Sequence, residues 1–147
     1  MLASVFTLVA ALAASATAAS AAVEARETYA TWPATNWQEG CSPGGCRGTY
    51  DISAPAGYVD GAPAFNVHCH STYIQEGWTQ CDPVEPQTDN SYVASMWTGA
   101  SEREFIKVSV AHIWYQGEAR YNASGSVEFK SGATTFEVPV TQITAVL

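Results

Sequence analysis

The sequence predicts an all-β fold, a single antiparallel β-barrel or β-sandwich stapled by two disulfides. Three observations predict it. Apolar and polar residues alternate with period two in successive runs from about Tyr50 onward. Gly, Pro, Asn and Ser clusters punctuate those runs at hairpin spacing, and no segment after the N-terminal leader carries the helical apolar period. Four cysteines in a chain that reads as exported supply the staples.

The leader comes first. From Leu2 to Ala14 only Ser4 and Thr7 are polar, the first charged side chain is Glu24, and two A-x-A sites follow, Ala16-Thr17-Ala18 and Ala19-Ser20-Ala21. The run is shorter than the ~20 residues a membrane span needs, so residues 1–21 read as a signal peptide. An uncleaved amphipathic or buried N-terminal helix is the alternative, but this alanine-rich run has no wet face. Removing the leader leaves roughly 126 residues, enough for one core. The expectation is a secreted, extracellular protein without a lipid anchor.

Residues 22–47 mix aromatic, polar and Gly-Pro residues without a period and read as an irregular N-terminal arm ending in a first disulfide loop; the β domain is expected over 48–147. Phe65, Val67 and Cys69 then point one way, and Asn66, His68 and His70 the other, which is a half-buried strand. Gly77 to Cys81 is expected to return antiparallel to it. Asp82 to Asn90, with Pro83 and Pro86, reads as a polar loop before a strand at Ser91 to Trp97 and a turn at Thr98 to Ser101.

Glu104 to Tyr115 is long and β-rich, and Ile106, Val108, Val110, His112 and Trp114 form its better core face. Gln116-Gly117 turns into Glu118 to Phe129, where Tyr121, Ala123, Gly125, Val127 and Phe129 share a face. Ser131-Gly132 turns into Thr134 to Ala145, with Phe136, Val138 and Val140 alternating against Thr135, Glu137 and Pro139. Pro139 marks an edge or a bulge, because proline has no N–H to give a ladder.

Cys41, Cys46, Cys69 and Cys81 allow three pairings. The local one is expected, since Ser42-Pro43-Gly44-Gly45 can reverse the chain within bonding distance. A zinc site is the alternative, but the spacing is not a zinc pattern and export works against free thiolates. The net charge of −8 argues against nucleic-acid or anionic-membrane partners, which need basic patches.

Several constellations are candidates for chemistry. His68 and His70 share a strand face and could both ligate a metal, but two ligands are not a site, and the plainer reading is two solvent-facing histidines. A ribonuclease-like set of general base, general acid and anion clamp could be drawn from His68, His70, Glu102, Arg103 and His112. Asp82, Glu85, Asp89 and Asn90 lack the spacing of a known calcium loop. Asn122-Ala123-Ser124 is an N-glycosylation acceptor with Asn122 on the outward side of its strand. Of five tryptophans, Trp97 and Trp114 read as core; any that proved exposed would mark a carbohydrate- or protein-binding surface. No nucleophile motif, phosphate loop or metalloprotease helix is present, and no cofactor or metal is expected.

The segment from Tyr50 to Cys81, through Tyr50-Asp51-Ile52-Ser53, Ala64-Phe65-Asn66-Val67, Cys69 and Trp78-Thr79-Gln80-Cys81, resembles the secreted fungal family typified by the Alternaria major allergen. The resemblance implies a single β-barrel or sandwich, a Cys69–Cys81 disulfide, no catalytic site, and a role as an allergen or as an effector engaging host defence proteins. The chain departs from that pattern in having Cys41 and Cys46 upstream and no second disulfide near the C-terminus, which puts covalent dimerisation in doubt and leaves a monomer or non-covalent dimer. The functional expectation is a secreted, non-enzymatic binding protein for a host or other extracellular protein. The alternatives are a small ribonuclease-like hydrolase and a structural cell-wall protein.

Overall fold

The structure, a computed structural model, describes residues 26–73, 76–87, 90–99 and 104–147. The expected signal peptide, Glu102 and Arg103, Asp89 and the end of the turn at Thr98 to Ser101 lie outside the described residues.

Among the described residues the chain forms strands and no helix. In chain order these are β1 (Ala30–Ser42), β2 (Gly45–Ala54), β3 (Phe65–Thr72), β4 (Thr79–Gln80), β5 (Asp82–Pro83), β6 (Ser91–Gly99), β7 (Phe105–Gln116), β8 (Ala119–Lys130), β9 (Phe136–Val140) and β10 (Gln142–Val146). Every pairing is antiparallel, in two sheets ordered β5-β3-β2-β1-β9 and β10-β8-β7-β6-β4. No described helix is long and apolar enough to cross a membrane.

Two corners join the sheets. The chain leaves β4, paired with β6, and after Cys81 enters β5, paired with β3. It likewise leaves β9, paired with β1, and after Thr141 enters β10, paired with β8. Counting each bent pair as one strand, neighbours in sequence are neighbours around the whole wall, an up-and-down meander that encloses one core and shares both sheet edges at the corners. The expected all-β class with two staples is what forms: Cys41 bonds Cys46 across the end of the β1–β2 hairpin, and Cys69 bonds Cys81, tying β3 to the first corner. By the loop-entropy model the shorter closure contributes about 2 kcal/mol and the longer about 3.

The irregular arm expected over 22–47 is corrected by β1, which runs through Ala30–Ser42 and lies between β2 and β9. Its alternation is hidden by a register shift between Thr35 and Gln38. Asn36 takes a left-handed φ of 57° there, so the inward face passes from Trp32 and Ala34 to Trp37 by the odd step of a bulge. The Gly77–Cys81 return is also corrected. Thr79–Gln80 joins β6 in the opposite sheet, and it is Asp82–Pro83, assigned to a loop, that pairs with β3.

The face of β7 expected to be core, Ile106 to Trp114, is buried, and Tyr50, Val67, Val93, Val138 and Val140 meet it from other strands. Trp37 packs edge-on to Trp97, Phe129 and Phe136, and lies over Gly48, where a Cβ would sit 2.3 Å from its ring. Pro139 falls on β9 at the edge of its sheet, as expected. Its carbonyl comes so close to Gly125 on β8 that a Cβ there would meet the oxygen at 1.8 Å. Only glycine admits that approach at the second corner.

Candidate functional site

The three histidines occupy two unrelated environments. His112 lies on the inward face of β7, fully buried among Phe65, Tyr58 and Trp114. Its Nδ1 is 2.7 Å from the Tyr58 hydroxyl and its Nε2 is 2.8 Å from Ser91 Oγ. A neutral imidazole has one donor and one acceptor nitrogen, and here each hydroxyl takes one of them. Burial holds the ring's pKa down to about 4 and pushes that of Tyr58 up. With both nitrogens engaged inside the core, His112 is a structural link between β6, β7 and the loop carrying Tyr58. A second buried network joins Tyr50, Ser95 and Ser71 through their hydroxyls.

His68 and His70 project from the outer face of β3, in the other sheet. His68 Nδ1 lies 2.7 Å from Asp51 Oδ1 on β2, and His70 Nδ1 lies 3.5 Å from Asp82 on β5. Asn36 donates to the second oxygen of Asp51 at 2.7 Å; that bond and then His68 hold the Asp51 carboxyl below its ordinary range. The two histidines therefore face different aspartates, and no group of three or more potential metal ligands occurs among the described residues. The structure places His112 inside the core and His68 and His70 on an outer surface, so the described members of the ribonuclease-like set do not share a cleft. Glu85 and Asn90 of the acidic loop are exposed, and Asp82 is committed to β5 beside His70.

The outer face of the other sheet carries the feature that sequence reasoning missed. Strand register aligns Gln80, Ala94, Ala111, Ser124 and Gln142 in one row across β4, β6, β7, β8 and β10. Tyr92, Ile113, Asn122 and Thr144 form the next row. Small side chains in the middle and long ones at the ends leave a trough of about 520 Å³. Trp78 rises at its rim, 49 % exposed, whereas the other four tryptophans are buried. Ile113 points outward yet is only 4 % exposed, because the surrounding walls shade it.

The trough's polar equipment is neutral apart from Arg120, which reaches the Tyr92 hydroxyl at 3.5 Å. Among the described residues lining it there is neither a carboxylate nor an imidazole. Asn122, first of the Asn122-Ala123-Ser124 tripeptide, lies in it half-buried, and its Oδ1 has no hydrogen-bond partner among the described residues. The tryptophan count and the outward position of Asn122 were the sequence signals for this surface. The trough itself depends on pairings between five strands.

No family model, no curated protein and no solved structure matches the chain.

Proposed function

We propose that this chain is a secreted, non-enzymatic binding protein of the fungal effector or allergen kind, and that it engages a host or cell-surface partner through the outer face of the β10-β8-β7-β6-β4 sheet. The observation that carries this reading is the neutral trough with the half-exposed Trp78 at its rim. A concave surface with an aromatic anchor and a few convergent polar groups is what a binding site requires. Acid–base hydrolysis needs titratable groups that reach a substrate; the described lining of the trough has neither carboxylate nor imidazole, and His112, held by Tyr58 and Ser91, is buried inside the core.

Two disulfides, with no free cysteine among the described residues, support folding in an oxidising compartment. The resemblance of Tyr50–Cys81 to the Alternaria allergen family points the same way. The test uses purified protein with both disulfides formed, immobilised and exposed to plant and other host extracts beside assays for RNA and glycan hydrolysis. Retention of a partner that is lost on Trp78→Ala, without turnover, is expected. Turnover of RNA that disappears on His112→Ala, with nothing retained, would overturn the proposal in favour of a small hydrolase.

A further inference from the structure

We infer that the trough is a saccharide-binding site, which deepens the proposed binding function and rests on it. The chemistry of the lining selects the ligand class. Gln80, Gln142 and Asn122 each offer an amide with both donors and an acceptor, and Ser124 and Tyr92 add hydroxyls. That set suits a ligand whose surface is made of hydroxyls acting as both donor and acceptor. Trp78 offers a flat apolar face of the kind against which the C–H side of a sugar ring packs.

The alternatives fit less well. An anionic ligand would need several cations, and Arg120, already in contact with Tyr92, is the cation among the described lining residues. A purely apolar ligand would strand the amides without partners. The Asn122 Oδ1, without a partner among the described residues, is a further pointer, because a buried acceptor without a donor is destabilising unless something supplies one. A ligand hydroxyl would supply it. The lack of a carboxylate pair in the described lining makes this a site that holds a saccharide and does not cleave it.

Two sources can bring a sugar there. One is a free or cell-surface oligosaccharide. The other is the chain's own N-linked glycan, since Asn122-Ala123-Ser124 places the acceptor asparagine and its serine on the trough floor. The experiment has an arm for each. Protein made in a non-glycosylating host, with both disulfides formed, is titrated with hexasaccharides of β-linked N-acetylglucosamine, β-linked glucose and mannose. The readouts are calorimetry and shielding of Trp78 from acrylamide quenching. Trp78 is the exposed tryptophan, so quenching reports chiefly on it.

The expected result is saturable binding of at least one hexasaccharide, weakened about tenfold by Trp78→Ala or Gln142→Ala and unchanged by His68→Ala on the opposite sheet. In the second arm, protein secreted from a eukaryotic host is compared before and after enzymatic removal of N-glycans, with Asn122→Gln as control. Trp78 shielding that is present with the glycan and lost on its removal places the chain's own sugar in the trough. Absence of hexasaccharide binding in the first arm, together with equal Trp78 quenching with and without glycan in the second, overturns the inference. If a host partner is still captured in that case, the binding reading stands while the saccharide falls. If RNA is hydrolysed, the binding reading itself falls.

Discussion

The two sheets share one core, but their outer faces are built on opposite plans. On the β5-β3-β2-β1-β9 sheet the central outward positions carry charged or ionisable side chains, Asp51, His68 and His70, and each finds a partner across a strand or diagonally. On such a surface the ionisable groups face one another across strands. On the other sheet the central outward positions are Ala94, Ala111 and Ser124, with glutamines at the ends of their row. A concavity opens there, and its amides remain available to a ligand. The difference shows that a concavity on a sheet is made as much by small residues at the centre as by long polar ones at the rim.

Substitutions can break or sharpen this contrast, and the largest effect is expected where the two plans are joined. Gly125→Ala drives a Cβ into the Pro139 carbonyl, a backbone atom that cannot swing away, so a loss of about 3 kcal/mol or more is expected in chemical denaturation. The second test separates the histidines. His112 has a folded pKa of about 4 against an ordinary 6.5, so the unfolded chain binds its proton first. The stability it contributes is full above pH 6.5, falls as the pH drops from 6.5 to 4, and is flat below that, a loss of about 3 kcal/mol. His112→Gln should remove this part of the pH slope, and His68→Gln, in water on the opposite face, should leave it in place. Urea midpoints at stepped pH decide between them.

Gly48→Ala is expected to cost about 2 kcal/mol, less than Gly125→Ala, because the obstructing atoms belong to the Trp37 ring, a side chain that can tilt by moving its aromatic neighbours. Near-ultraviolet circular dichroism should report that tilt. The smallest effect is expected at Asp51. Its contacts with His68 and Asn36 are solvent-screened, and Asp51→Asn should shift stability by about 0.5 kcal/mol. A much larger loss at Asp51 would show that the ionic face is structural and would blur the contrast.

The wall strands were largely legible in the sequence. Phe65-Val67-Cys69, the Ile106-to-Trp114 face and the Phe136-Val138-Val140 face each kept the period of two that a half-buried strand imposes. β1 was not legible. The bulge at Asn36 breaks its alternation, and a pattern read along the chain cannot see that an extra residue has been set aside to return Trp37 to the core. The corner at Cys81 was missed for a related reason, since two residues on each side of it are too few to carry a period. The inward position of His112 was legible, but the hydroxyls that hold it, Tyr58 and Ser91, come from distant segments.

The sequence by itself therefore determined the class of the fold, the faces of β3, β7, β8 and β9 and, by proximity along the chain, the pairing of the four cysteines. These depend on local periodicity and short loops. Tertiary structure alone decided that the two sheets meet at Cys81 and Thr141, that the histidines lie on different sheets, and that Gln80, Ala94, Ala111, Ser124 and Gln142 form one row. The physical reason is that strand register is a relation between chain segments, fixed jointly by bulges, corners and core packing, and a one-residue slip in any strand would turn its row to the other face.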